Sequence, residues 1–273
     1  MNDFEFLRFV TIGQYVPTGS VIHRLDPRAR LVAGFLLLAA TTAAPHLAGL
    51  GFALLALLVV LVVARIPLGY ALKGLIPPLP FILFLAVLQV LFGPQGEGVR
   101  LLWAWGPVHV STVSLLNGAL LVVRFVALIL TISLVSLCIS TTEIVRGLEA
   151  LLAPLTKIGL PTHDFVLMVQ VTLRFLPLLA QEAERIAKSQ ASRGAEWGTG
   201  RSGLLRRTQQ AMPMLVPLFL TSLQRAENLA LAMMARGYHG GKGRTSMVAL
   251  RFRWVDALAL GLVVVTAVMM VLV

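Results

Sequence analysis

The sequence predicts an all-α, polytopic membrane protein with about five transmembrane helices and a set of long cytoplasmic helices, on three observations. Hydrophobic residues make up 58% of the 273-residue chain and charged residues 13%, with a mean hydropathy of +0.87, a composition outside that of ordinary soluble domains. The apolar residues gather in runs long enough to enter a bilayer as helices. Between residues 141 and 253 the pattern changes to apolar and charged residues mixed at helical spacing, which marks amphipathic helices.

Residues 1–30 form a cytoplasmic N-terminal segment. They carry Asp3, Glu5 and Asp26 around no apolar core, so no cleavable signal peptide is expected and the first span is the insertion signal. Residues 31–140 carry transmembrane helices 1–4. The stretches 31–44 and 47–64 are parted by Pro45 and His46 as a tight helical hairpin. The first is short, and spans only if it begins near Ala29 or if the bilayer thins around it. Residues 76–92 follow, with Pro77, Pro78 and Pro80 at the start, where a helix tolerates proline. A Gly-rich loop at 93–111 holds Trp103 and Trp105, suited to a membrane interface. The fourth span covers 115–139. Residues 141–253 form cytoplasmic or interfacial helices, and 254–273 a C-terminal transmembrane helix.

A net charge of +11 and a pI near 11.2 would suggest nucleic acid in a soluble protein, but here the cations sit between apolar runs. With four spans before residue 141, Arg8, Arg24, Arg28, Arg30, Arg65, Lys73 and the cations from Arg146 to Arg253 share one side, and Arg100 alone falls on the other. The positive-inside rule then sets the N-terminus and the central region in the cytoplasm of a bacterial cell and the C-terminus outside, so five spans fit better than six. Arg124 lies inside the fourth span, either satisfied by backbone carbonyls or touching a substrate-carrying partner. Cys138, the single cysteine, excludes intrachain disulfides and thiolate metal clusters and reads as a small buried residue.

In the central region Thr141-Thr142-Glu143 opens a helix that ends near residues 158–161, a Gly-then-Pro stop. Thr162-His163-Asp164 opens a second, ending at Arg193-Gly194. A third runs from about Leu204 to Arg236-Gly237. Pro177, and Pro213 with Pro217, lie inside the two long helices and predict kinks.

These two helices end alike. Gln181, Ala183, Glu184, Ala187, Arg193 and Gly194 match Gln224, Ala226, Glu227, Ala230, Arg236 and Gly237 at one constant offset, a local internal repeat. A basic residue and a glycine at a helix end explain either tip singly, but not the shared upstream residues. Two equivalent tips, Ser192-Arg193-Gly194 and Ala235-Arg236-Gly237, each with a guanidinium fork, suit docking on two equivalent carboxylate-bearing surfaces. Ala183, Ala187 and Ala191 on one helix, with Ala226 and Ala230 on the other, form small-residue seams where the helices cross, although alanine is also simply a good helix former. Phe165, Leu167, Met168, Phe175, Leu176, Leu215, Phe219 and Leu223 make these helices too apolar to face water uncovered.

Several stretches together resemble the T component of energy-coupling factor (ECF) transporters, the family of the shared EcfT scaffold and its cobalt and biotin relatives CbiQ and BioN. They are Gly13-Gln14-Tyr15; Ser20 with His23-Arg24-Leu25-Asp26-Pro27-Arg28; Thr141-Thr142-Glu143; Leu173-Arg174-Phe175-Leu176-Pro177; and the two Arg-Gly tips, the first with Ser192 where the family pattern has Ala. The resemblance implies an ABC-type importer in which two ATPase subunits, the A components, hydrolyse ATP. The long helices act as coupling helices that pass ATPase closure to a membrane-embedded, substrate-binding S component, with Arg193 and Arg236 lodged in grooves on the ATPases. The Leu25-Asp26-Pro27-Arg28 stretch resembles the multi-substrate group, implying vitamin uptake with exchangeable S components rather than a dedicated cobalt system.

The residues imply no cofactor, no metal and no active site. Clustered aspartates, His-Glu-x-x-His and Gly-x-Ser-x-Gly are missing from the sequence. Gly240-Gly241-Lys242-Gly243 has Arg236 where a P-loop needs its first glycine and no Ser or Thr after Lys242, and reads as a basic loop at the membrane surface. The rival reading is a permease that binds substrate itself, with Arg124 and Gln89 lining its path.

Overall fold

A computed structural model describes residues 15–92, 101–105, 108–159, 161–194, 204–240 and 250–272, with the backbone alone at 101–109, Lys157 and 204–211. The described residues form nine α-helices and one two-stranded hairpin, and they divide into two compact units, the first holding those within 15–150 together with 250–272 and the second those within 151–240. Gly13, Gln14, Arg100, Leu160, Gly241, Lys242, Gly243 and the side chains of Trp103 and Trp105 lie outside the described residues.

In the first unit, α1 (Pro27–Ala43) begins earlier than its apolar run, because Asp26 caps it and Pro27 occupies its first position. The Asp26 carboxylate accepts the Arg28 N–H at 2.9 Å. The helix stops at Ala44, held extended (ψ 117°) before Pro45. Helix α2 (Leu47–Val63) returns, so α1 and α2 are a 17-residue pair, each about 25 Å long and shorter than a hydrocarbon core of about 30 Å. A short α3 (Leu68–Lys73) leads to α4 (Leu79–Leu91), which opens after Pro78. The loop expected at 93–111 instead contains β1 (Leu101–Trp105) antiparallel to β2 (Val108–Ser111), where two runs of β-forming residues flank Gly106-Pro107. Helix α5 (Thr112–Cys138) starts with a Ser111/Ser114 capping box. Helices α6 (Thr141–Leu152) and, much later, α9 (Trp254–Leu272) complete the unit.

Two polar contacts fix which helix ends lie together. Arg30 donates to the Cys138 carbonyl at 2.7 Å, bringing the end of α5 to the start of α1. The Asp26 N–H donates to Asp256 at 2.8 Å, bringing the start of α9 to the same end. Between them, Leu57 and Leu61 of α2 pack with Leu130, Leu134 and Leu137 of α5, and Leu37 and Ala40 of α1 with Ala53 and Met270. Lipid is as apolar as these side chains, so close approach rather than desolvation holds the helices. Gly34 shows it: a Cβ there would stand 2.6 Å from Val135. The outer faces of α2, α4 and α9 keep Leu55, Val62, Phe81, Phe84, Leu258 and Leu262 exposed, a surface made for acyl chains.

The second unit begins with a 3-10 stretch, Ala153–Ile158, in place of the continued α-helix expected there, because Pro154 cannot donate to the helix ladder. It ends at Gly159 in the left-handed region, the anticipated stop. Helices α7 (Thr162–Ser192) and α8 (Leu204–Ala235) follow, with 31 and 32 residues, or about 46 to 48 Å each. They pack antiparallel, since Glu182 meets Arg225 while the Tyr238 hydroxyl reaches Asp164. By length and apolarity α5, α7 and α9 are each sufficient to cross a membrane, and α2 and α4 are apolar but shorter.

Candidate partner interface

The two tips share one local geometry. Arg193 is the C-cap of α7, and the next residue, Gly194, takes φ +84° and donates its N–H to the Ala191 carbonyl at 3.0 Å. Arg236 follows the last residue of α8. Gly237 takes φ +77° and donates to Met234 at 2.9 Å, while the Tyr238 N–H reaches Met233 at 3.0 Å, a complete Schellman turn. No neighbour lies where a Cβ on Gly194 or Gly237 would go. Glycine is therefore needed for its backbone angle, not for space. The turn halts each helix with its arginine at the last position before the glycine.

Ser192, Arg193, Gly194, Ala235, Arg236 and Gly237 are all exposed, and neither arginine is ion-paired among the described residues. The Ser192 hydroxyl turns back to the Ser189 carbonyl at 2.8 Å, so it presents the same small surface as alanine.

The repeat also has a centre. Arg225 donates to Glu182 at 2.9 Å across a sequence separation of 43, which is the repeat offset, so equivalent positions of the two helices meet. Identical charges would repel at such a crossing, and the two copies carry opposite ones. Each tip lies about 11 residues beyond this pair, roughly 16 Å, in opposite directions, which sets the two guanidinium-bearing ends on the order of 30 Å apart.

The alanine seam is half present. Ala183 and Ala187 are buried and Ala191 half-buried on α7, but Ala226 and Ala230 are exposed on α8. The covered stripe of α8 runs through Leu218, Ser222, Arg225, Leu229 and Met233, and residues 226 and 230 sit one position, about 100°, around the helix from it. The expectation of a seam on α8 is corrected accordingly. Of the apolar residues singled out on these helices, Phe165, Met168, Leu176, Leu215, Phe219 and Leu223 are exposed.

The N-terminal motif is local architecture at the start of α1. Asp26 and Pro27 cap and open the helix, Leu25 is half-buried, and Arg28 is half-buried with its Nε enclosed and unbonded. His23 is buried beside Tyr15, its Nδ1 within 2.8 Å of the Ser20 hydroxyl. Burial and the nearby Arg30 charge outweigh the backbone and Glu143 contributions and lower its pKa below the ordinary 6.5.

Arg30, read in the sequence only as a cation that sets topology, and Asp256, which the sequence reading did not single out, hold this end together with Glu143. Arg30 is buried and makes two hydrogen bonds to Glu143, at 2.7 and 3.4 Å, besides its bond to Cys138. Glu143 also accepts from the Ser140 N–H and hydroxyl, each at 3.0 Å, so the cap of α6 is Ser140, one residue before the expected Thr141. Burial raises the Glu143 pKa, but the Arg30 and Ser140 donors outweigh it and hold the carboxyl below its usual 4.5. Asp256, 2% exposed, accepts from the Asp26 N–H and, at 2.7 Å, from the Arg253 N–H. The readable signals were a Ser-x-x-Glu box at 140–143 and an acid in the first turn of an otherwise apolar helix. Arg124 donates to the Ala44 carbonyl at 2.7 Å, the structural alternative for that residue. It sits level with the turn between α1 and α2, where a C-terminal carbonyl needs a donor.

These features first define a class: an integral membrane helical protein that presents two equivalent, cation-tipped helix ends. Comparison with known proteins narrows it. The profile of a family described as cobalt transport protein (CbiQ) matches residues 18–247. Proteins named energy-coupling factor transporter transmembrane protein EcfT are 41% identical over 273 residues in Brevibacillus brevis, covering 98% of this chain and 97% of that one. The Heliobacterium modesticaldum protein of that name is 40% identical over 241 residues, 88% of each chain, and the Bacillus subtilis one 40% identical over 236 residues, 86% of each. The chain belongs to this family, the transmembrane T components of energy-coupling factor transporters, which are transport scaffolds rather than enzymes.

Proposed function

We propose that this T component couples two ABC ATPase subunits, docked on the tips of α7 and α8 through Arg193 and Arg236, to a membrane S component that carries a micronutrient, with vitamins the favoured class. ATP hydrolysis belongs to the partners. The observation that carries the reading is the pair of exposed arginines at matched helix ends, without an ion pair among the described residues and equidistant in sequence from the Glu182–Arg225 contact. Two arms of equal reach suit two homologous ATPases better than one asymmetric partner.

The same reading keeps the N-terminus and the α7–α8 pair on the cytoplasmic side and the C-terminus outside. The end of α5 and the start of α9 both meet the start of α1, so the chain between them crosses the bilayer an even number of times. A crossing by α7 alone is therefore disfavoured despite its length. Helix α8, with Arg206, Arg207, Arg225 and Glu227, is a poor second span. An interfacial α7–α8 pair satisfies both constraints.

The test is co-purification of ATPase subunits with tagged variants. Arg193→Ala or Arg236→Ala alone should weaken capture, because truncating a buried interfacial charge costs about 2–5 kcal/mol, and the double variant should abolish capture while remaining monodisperse. Arg→Lys should not rescue, since an ammonium cannot reproduce a paired guanidinium contact. Full capture by a well-folded double variant would reduce both arginines to ordinary helix ends.

A further inference from the structure

An apolar cleft of about 440 Å³ lies between α1, α2, α5 and α9, lined by residues such as Leu25, Ala33, Val59, Val135, Leu258 and Val263. Its one charged wall residue, Arg30, is committed to Cys138 and Glu143. The cleft reaches the shared start of α1 and α9, where Val21, Ile22 and Val255 border it. Four arginines cluster in the sequence at that end, Arg24 and Arg28 around the first helix start and Arg251 and Arg253 before the second.

Arg24, Arg251 and Arg253 are exposed, and none of their guanidinium groups has a partner among the described residues. Arg28 has an enclosed, unbonded Nε. Of the acids at this end, Asp26 and Asp256 are buried and accept from backbone N–H groups, and Glu143 is bonded to Arg30 and Ser140. The alternation Arg251-Phe252-Arg253-Trp254, with both aromatic rings exposed, is the composition of a segment lying at headgroup depth. Two helix N-termini add partial positive charge in the same place.

The walls select among occupants. They offer almost no hydrogen-bonding groups, so a peptide backbone there would leave its N–H and C=O groups unsatisfied, and a helix about 10 Å across is too large for the volume. An acyl chain has no such groups, and the cations at the mouth call for an anion. We propose that the cleft between α1 and α9 is a binding site for an anionic phospholipid, with one acyl chain in the cleft and the phosphate held by the arginines at its mouth.

The experiment presents the full-length chain in mild detergent with equal amounts of phosphatidylglycerol and phosphatidylcholine of the same chain length, and counts retained lipid by native mass spectrometry. The wild-type chain should prefer phosphatidylglycerol by about tenfold or more, since each surface cation contributes roughly fivefold to attraction for anionic lipid. The Arg24→Gln/Arg251→Gln/Arg253→Gln variant changes only exposed side chains and should lose the preference. Ala33→Phe, which fills the cleft, should reduce retention of both lipids, and inorganic phosphate at equal concentration should not displace lipid from the wild type. Equal retention of the two lipids by the wild type, an undiminished preference in the triple variant, or displacement by phosphate would overturn the proposal.

Discussion

Glu143→Ala is expected to be the most damaging single change at the membrane unit's polar end, and the structure sets its size. It leaves the Arg30 guanidinium, whose side chain is 4% exposed, with the Cys138 carbonyl and no counter-charge, a broken buried pair that costs about 3–5 kcal/mol. The converse change is milder. Arg30→Met leaves Glu143 with its side chain 27% exposed, open to water and still accepting two bonds from Ser140, so although the short bonds to Glu143 and Cys138 go, the loss is about 1.5–3 kcal/mol. Removing both groups strands neither charge, so the double variant should lie near Arg30→Met alone. The coupling energy in the cycle should reach at least about 2 kcal/mol. Reversible unfolding of the full chain in mixed micelles, titrated with a denaturing detergent, measures all three. Additive losses, or a Glu143→Ala cost below that of Arg30→Met, would refute the account of a buried pair with one wet partner.

Three further outcomes follow from the same contacts. Asp256→Ala should cost about 1–3 kcal/mol in that assay by leaving the buried Asp26 N–H without an acceptor, and Asp256→Asn, which keeps one acceptor oxygen, should cost less. Because the folded state lowers the His23 pKa from 6.5, its contribution is complete above about pH 6.5 and is lost as the pH falls through the lowered value. Unfolding midpoints should drop between pH 7.5 and 5.5, and His23→Gln should flatten that slope, whereas the Glu143 contribution is complete above about pH 4.5 and is lost as the pH falls from there through its lowered value. A cysteine added after Val273 should react with a membrane-impermeant thiol reagent on intact cells, and labelling only by permeant reagents would reverse the proposed orientation.

How much of this was legible depends on the period over which each feature is written. The helices were legible because their causes are local: Asp26-Pro27 opens α1, Ala44-Pro45 closes it, and Gly159 and Pro161 separate α6 from α7. The matched tips were legible because a Schellman turn needs a glycine just past the cap and the repeat prints it twice. The Arg30–Glu143 and Asp26–Asp256 contacts were not, since each joins residues more than 100 positions apart and nothing local distinguishes a structural arginine from one of the cations that set topology. The exposed Ala226 and Ala230 show a further limit. Spacing identifies the members of a helix face but not which face the neighbouring helix takes, and here Arg225 turned α8 toward Glu182 instead.

The two units also differ in what they leave unfinished. In the first, the polar groups where α1, α5, α6 and α9 meet largely find partners within the chain, and the outer apolar surface needs only lipid. In the second, α7 has four buried residues along its 31 positions, Thr162, Val166, Ala183 and Ala187, and Phe219 of α8 stands 67% exposed. A helix pair with so little burial of its own sits at the low end of local stability, and whatever covers its apolar faces and arginine tips raises that stability by mass action. The proposed coupling between ATPases and a membrane partner would need an element of this kind. A pair already satisfied by its own contacts would gain nothing from either partner and could pass no preference from one to the other, because a ligand shifts an equilibrium only by its differential affinity for the two states.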